Sequence, residues 1–136
     1  MVLVDSSVWI DYFNGVSSAE CNALDGLLGS ELVLIGDLIL TEVLQGFRSD
    51  KGYRKARKLL EPLRFCNLGG RSVALAAADH YRSLRLRGIT VRKTIDVFIA
   101  TYCILHAVEL LHADRDFDAM EKHLGLHVYR SAGVRN

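Results

Sequence analysis

The sequence predicts an α/β fold built on a mostly parallel sheet covered on both faces. Three observations carry that reading. Short apolar, β-branched runs alternate with longer helical stretches along the whole chain. The runs are continuously apolar rather than alternating, as strands buried on both faces require. The 136 residues contain a single Pro, half of them are apolar, and no Pro/Ser-rich linker or repeat interrupts them, so one domain over residues 1–136 is expected.

In order, Met1 to Val4 reads as a buried strand. Ser6 and Ser7 offer N-caps for a short helix from Val8 to Phe13, which Asn14-Gly15 stops. Ser18 to Leu28 reads as a second helix ending at Gly29, and Glu31 to Ile35 as strand two. Asp37 is placed to cap a helix from Leu38 to about Phe47. Lys51 to Leu63 is helical, with Tyr53, Ala56, Leu60 and Leu63 on one face and Pro62 near its end. Arg64 to Leu68 is a short strand. Val73, Ala77, Tyr81 and Leu84 recur at helical spacing, so Arg71 to Arg87 forms a helix before Gly88. Thr94 caps a helix to His106, Glu109 to His112 is a strand, Phe117 to Leu124 a helix and Leu126 to Tyr129 a last strand.

Composition excludes several classes. Seventeen Lys and Arg face sixteen Asp and Glu, for a net charge of +1. No global field draws the chain to nucleic acid or membrane, so such partners must be met by local patches. Cys21, Cys66 and Cys103 are odd in number and never in a CxxC pair, which argues against a disulfide framework and fits reduced thiols in the cytoplasm. The first residues lack a basic region and reach Asp5 at once, unlike a signal peptide. The apolar stretch from Leu32 to Leu44 carries Asp37 and Glu42 and is too short to span a bilayer.

The informative residues are acids placed where solvation alone would not put them. Asp5 follows the first strand, and Asp114 and Asp116 follow the Glu109 to His112 strand. Ligand sites in open parallel sheets lie at such carboxyl ends. Glu42 stands among Leu38, Ile39, Leu40, Val43 and Leu44, and Asp96 precedes Val97, Phe98, Ile99 and Ala100. A carboxylate in apolar surroundings is costly unless paired or metal-bound. Singly, each acid is equally well a cap or a solvated first turn. Together they point to a shared cation, because packed carboxylates repel one another. Oxygen ligands select Mg²⁺ or Mn²⁺. A carboxylate-bound ion of that kind suits phosphodiester hydrolysis, and two ions about 3.5–4 Å apart can serve both ends of an in-line displacement. Ser6 is placed to orient a water or the scissile phosphate, or to cap its helix.

At this point the residues show a likeness. VDSSVWIDYF at the start, the isolated Glu of LTEVLQG, TIDVFIATYCILH, and LLHADRDF near the end together resemble a PIN-domain ribonuclease, and most closely the VapC toxins of bacterial toxin–antitoxin pairs. The resemblance covers nearly the whole chain in order. It implies a three-layer sandwich with a mostly parallel central sheet of four to five short strands flanked by helices. It implies a Mg²⁺- or Mn²⁺-dependent endoribonuclease whose metal-binding acids are Asp5, Glu42, Asp96 and Asp114, with Asp116 as a fifth. Asp114 and Asp116 both stand as candidates for the nearer ligand. Ser6 occupies a position where the family often has Thr or Ser. His112 departs from a position where a small hydroxyl residue is common, and offers a polar contact to RNA instead. The resemblance further implies a homodimer, a VapB-like antitoxin as partner, and structured RNA, commonly transfer or ribosomal RNA, as substrate.

Two basic groups are available to phosphates. Lys51, Arg54, Lys55, Arg57 and Lys58 crowd one helix, and Arg82, Arg85 and Arg87 lead to Arg92 and Lys93 beside the Asp96 helix. Arg92 and Lys93 are expected to hold scissile-strand phosphates. Trp9 and Phe13, an i, i+4 pair, are either core or the lining of a groove for an antitoxin helix. His123 and His127 have zinc-like spacing, but Gly125 breaks the helix between them and they read as structural. A phospho-acceptor signalling domain is a competing reading. It requires adjacent acids after the first strand and a Lys near the last strands, whereas Asp5 stands alone and no Lys lies between Lys93 and Lys122. A catalytically inert antitoxin-binding module is the third.

Overall fold

The structure, a computed structural model, describes residues 1–131. Four parallel strands lie in the order β3-β2-β1-β4. They are β1 (Val2–Val4), β2 (Val33–Gly36), β3 (Arg64–Cys66) and β4 (Glu109–Leu111). Every residue of β1 and β2 is buried. Successive strand residues point to opposite faces, so both faces of the sheet centre are covered by helices. The edge strand β3 is different, with Phe65 55% exposed.

The described residues also form seven helices: α1 (Ser6–Phe13), α2 (Ala19–Leu27), α3 (Asp37–Gln45), α4 (Asp50–Leu60), α5 (Arg71–Leu86), α6 (Thr94–His106) and α7 (Asp118–Leu124). A 3₁₀ turn, Arg115–Phe117, precedes α7. Helix α1 packs on α2 and α3, and α5 packs on α6 and α7. Core side chains such as Leu3, Trp9, Ile39, Ile99 and Phe117 are fully buried. The amphipathic α4 buries Ala56 and Leu60 and leaves Lys51, Arg54, Lys55 and Lys58 in solvent.

Several boundaries differ from expectation. The stretch Leu126 to Tyr129 is not a strand but a single parallel bridge between Val128 and Leu110, because too few residues run beside β4 to build a ladder. The third strand stops at Cys66. Leu68 instead turns into the core, and its backbone N–H donates to Asp37 Oδ1 at 3.0 Å. Asp37 is the first residue of α3 rather than its cap, and also accepts from Leu38 N at 2.8 Å. Thr94 likewise begins α6, with Lys93 as the uncapped flanking residue.

Gly36 ends β2 at the point where the chain enters the helix that carries Glu42. Its φ of −92° is ordinary, so the constraint is space. A Cβ there would meet Leu68 Cδ1 at 2.5 Å and Cγ at 2.6 Å. Gly36→Ala is therefore expected to destabilise the fold by about 1–3 kcal/mol, as overpacking does. Urea unfolding checks this, and an unchanged midpoint would show that Leu68 yields freely.

Candidate metal centre and active site

The sheet register brings the two acidic strand ends side by side. Val4 pairs with Leu111, and Asp5 N–H donates to Leu111 O at 2.9 Å. Asp5 and the segment leaving β4 are thus neighbours, although more than 100 residues separate them in sequence. Helix α6 enters from the side and contributes Asp96 from its first turn. Helix α3 contributes the half-buried Glu42.

Asp5 is only 3% exposed and Asp96 only 4%. Asp5 caps α1, the alternative role its position allows, in place of Ser6 and Ser7. Its Oδ2 accepts from Ser7 N at 3.1 Å and from the Ser7 hydroxyl at 2.6 Å. Ser6 is freed by this arrangement and donates to Glu42 Oε1 at 3.3 Å. Asp5 Oδ1 and Asp96 Oδ2 are buried without any hydrogen-bond partner. Such orphaned carboxylate oxygens are expensive.

Electrostatics ties the acids into one cluster. Burial raises the Asp96 carboxyl to about 7, and the charges of Asp5, Asp114 and Glu42 push the same way against Lys93. Glu42 is raised by burial and then by Asp5, with Ser6 and Lys93 opposing. Asp5 is raised by burial, and its bonds to Ser7 work against that. One oxygen from each of Asp96, Asp114 and Asp116 lies within 4.8 Å of the others. Asp114 Oδ1 accepts from Asp116 N at 2.9 Å, and its Oδ2 sits 3.9 Å from Lys93 Nζ.

Buried, unpartnered, mutually repelling oxygens with no soft ligand among them fit a hard divalent cation. The oxygens drawn together in space are those of Asp96, Asp114 and Asp116, and Asp5 and Glu42 are coupled to Asp96 through their charges. Asp116 also pairs with Arg92, whose Nε and Nη2 donate to both its oxygens at 2.9–3.2 Å. The Arg92 side chain, 71% exposed, is thereby held beside the acidic group. Lys93 keeps its place beside Asp114.

Two other expectations change. Trp9 is fully buried, stacked on Phe13 with ring centroids 6.0 Å apart, so it cannot line a surface groove. Phe13 is partly exposed, and with Tyr12, Lys55, Lys58 and Leu59 it lines an open groove of about 640 Å³ between α1 and α4. His112 is half-buried. Its Nδ1 accepts from Asp114 N at 3.2 Å and its Nε2 is buried without a partner. Ser7, which the sequence suggested only as a cap, bonds both Asp5 and Ala113 N, the latter at 3.0 Å. The only hint in the sequence was its place two residues after Asp5.

A family model described as "PIN domain" matches residues 2–123. The chain belongs to the PIN domain family. Among curated proteins, this PIN domain is 32% identical over 124 residues to Ribonuclease VapC11 of Mycobacterium tuberculosis, covering 90% of this chain and 92% of that protein. Two solved structures share the fold. VapBC2 from Rickettsia felis, bound to a DNA fragment from its promoter, superposes with a TM-score of 0.75 at 14% identity, over 95% of this chain and 98% of that one. VapC20 of Mycobacterium tuberculosis, a Sarcin-Ricin loop cleaving toxin, superposes with a TM-score of 0.67 at 17% identity, over 96% and 99%.

Proposed function

We propose that this PIN domain is a metal-dependent endoribonuclease, the toxin of a toxin–antitoxin pair, acting on structured RNA as one domain over residues 1–136. The observation that carries the reading is the pair of buried, unpartnered oxygens, Asp5 Oδ1 and Asp96 Oδ2, inside a cluster of like charge. A ribonuclease name for the relative at 32% identity supports the substrate class.

In this reading Asp5, Asp96 and Asp114 hold Mg²⁺ or Mn²⁺, with Glu42 and Asp116 completing the acidic wall. An ion held there would supply Lewis-acid charge to the phosphodiester, the attacking water and the leaving oxyanion. The chain's own residues do the rest. Glu42, its carboxyl raised by burial and by Asp5 and its Oε1 accepting from Ser6, takes the proton of the attacking water. Lys93 offers an ammonium to the substrate phosphate beside Asp114. Low exposure at Asp5 and Asp96 keeps bulk water from screening these charges.

The partner is a VapB-like antitoxin. A structural neighbour from Klebsiella pneumoniae, with a TM-score of 0.69 at 20% identity, is a toxin–antitoxin complex. The groove lined by Tyr12, Phe13 and Leu59 suits the apolar side of a helix, and Lys55 and Lys58 on its rim suit acidic residues. A homodimer and a cytoplasmic location complete the proposal. The three free cysteines are consistent with a reducing compartment, and no helix among the described residues is long and apolar enough to cross a membrane. A phospho-acceptor domain leaves Glu42 and its coupling to Asp5 unexplained.

The test is cleavage of transfer RNA and ribosomal RNA fragments by purified protein. Activity is expected with Mg²⁺ or Mn²⁺, with loss on chelation and in Asp5→Asn. Mapping of cut ends in total RNA after brief induction, against the same variant, identifies the target. Cleavage that persists in chelator or in Asp5→Asn would reject the mechanism.

A further inference from the structure

We propose that Ser7 and His112, neither of them a metal ligand, are positioning residues that hold the segment 112–116, and with it Asp114, against Asp5. The inference rests on the reading of these acids as a metal centre.

The chain leaves β4 at Leu111, and the backbone N–H groups that follow need other partners. Side chains supply them in succession. Ala113 N donates to Ser7 Oγ at 3.0 Å, Asp114 N to His112 Nδ1 at 3.2 Å, and Asp116 N to Asp114 Oδ1 at 2.9 Å.

Ser7 has one hydroxyl proton, and it goes to Asp5 Oδ2 at 2.6 Å, a short charge-assisted bond. Ser7 Oγ itself accepts from Ala113 N on the other strand end. One atom therefore joins the Asp5 carboxylate to the backbone one residue before Asp114. Ser7 also takes Asp5 Oδ2 twice, through its hydroxyl and its N–H, which leaves Oδ1 as the carboxylate oxygen without a partner.

His112 acts from the other side. Because Nδ1 accepts a backbone N–H, the ring proton sits on Nε2. The ring packs on Phe117 with centroids 4.9 Å apart, which fixes its orientation. Its Nδ1 does for Asp114 N what an Asx or Ser oxygen does in a side-chain turn to the residue two positions on. That chemistry makes a sharp prediction about replacements. Asparagine carries an acceptor at the corresponding branch of its side chain, whereas leucine has the bulk and no acceptor.

The experiment is calorimetric titration of Mn²⁺ into the full chain, with circular dichroism and Tm recorded for each variant. Ser7→Ala is expected to weaken Mn²⁺ binding about 10–100-fold, the usual cost of losing a partner behind the ligands, and Ser7→Thr to restore it to within a few-fold of wild type. His112→Leu is expected to weaken binding while His112→Asn retains it. Wild-type affinity in Ser7→Ala and His112→Leu would overturn the proposal. So would equal losses within each pair, since a general packing defect does not distinguish an acceptor from its absence. If Ser7→Ala fails to fold, the two His112 variants decide the question. If the wild-type chain takes up no Mn²⁺, the metal reading fails and this proposal with it. Normal wild-type binding with insensitive variants removes this proposal alone.

Discussion

Asp96→Asn is expected to lower RNA cleavage by at least about 100-fold, more than the loss of a partner behind the ligands costs, while relieving the metal-free protein of an electrostatic burden. The Asp96 carboxyl is ordinary in the unfolded chain, near 3.8, and is raised to about 7 in the fold. A group raised in this way favours the folded state at low pH, and its contribution is lost as pH climbs from 3.8 through about 7. Metal-free wild type should therefore lose stability between pH 5 and 8.5 more steeply than Asp96→Asn. Between pH 5 and about 7 the difference is about 2–3 kcal/mol, or roughly 10 °C in Tm for a chain of this size. Thermal melts of both proteins in chelator across that range provide the check. Parallel curves would mean that Asp96 ionises freely and is not pressed by Asp5, Asp114 and Glu42. Retained cleavage would remove Asp96 from the centre altogether.

The second large effect is the response to cation. A ligand that binds only the folded state at 100 times its dissociation constant stabilises by about 2.7 kcal/mol, so saturating Mn²⁺ should raise Tm by roughly 10 °C. The pH dependence should then change sign. Without metal, rising pH charges Asp96 against its neighbours. With metal, rising pH strips the protons that compete for the same oxygens, so the stabilisation grows from pH 6 to 8. Asp5→Asn should abolish most of the shift, because it neutralises one of the two carboxylates that carry an unpartnered buried oxygen. Ca²⁺ and Mg²⁺ at matched concentrations separate site binding from ionic strength. A Tm insensitive to every divalent ion tested would leave the cluster as an unrelieved defect and end the case for a hydrolase.

Much of this architecture was legible from local pattern. Val2–Val4 and Val33–Ile35 are continuous apolar runs, and a strand buried on both faces needs nothing more to announce itself. Asp5 and Asp114 were marked by following such runs, and Glu42 and Asp96 by being charged in apolar company. The likeness to VapC toxins added their roles. Local pattern was weaker where two faces of one helix are both partly covered. In α1, Trp9 and Phe13 have the same spacing and similar chemistry, yet one is fully buried and the other borders a groove. The caps expected at Ser6, Ser7, Asp37 and Thr94 differ in the structure, because several neighbouring oxygens compete for each helix end and the winner depends on what else each can reach. Asp5 prevails at α1 because its Oδ2 collects both the N–H and the hydroxyl of Ser7.

The sequence by itself determined the element order, the parallel sheet, and which acids are out of place, since these follow from hydrophobic period and from the cost of an unpaired carboxylate. Only the tertiary structure decided how those acids are shared out. It set Arg92 on Asp116, left Asp114 open beside Lys93, and ran Ser7 across to Ala113. These contacts join residues far apart in the chain whose side-chain types carry no record of their partners. The Val4–Leu111 register had to exist before any of them had a distance.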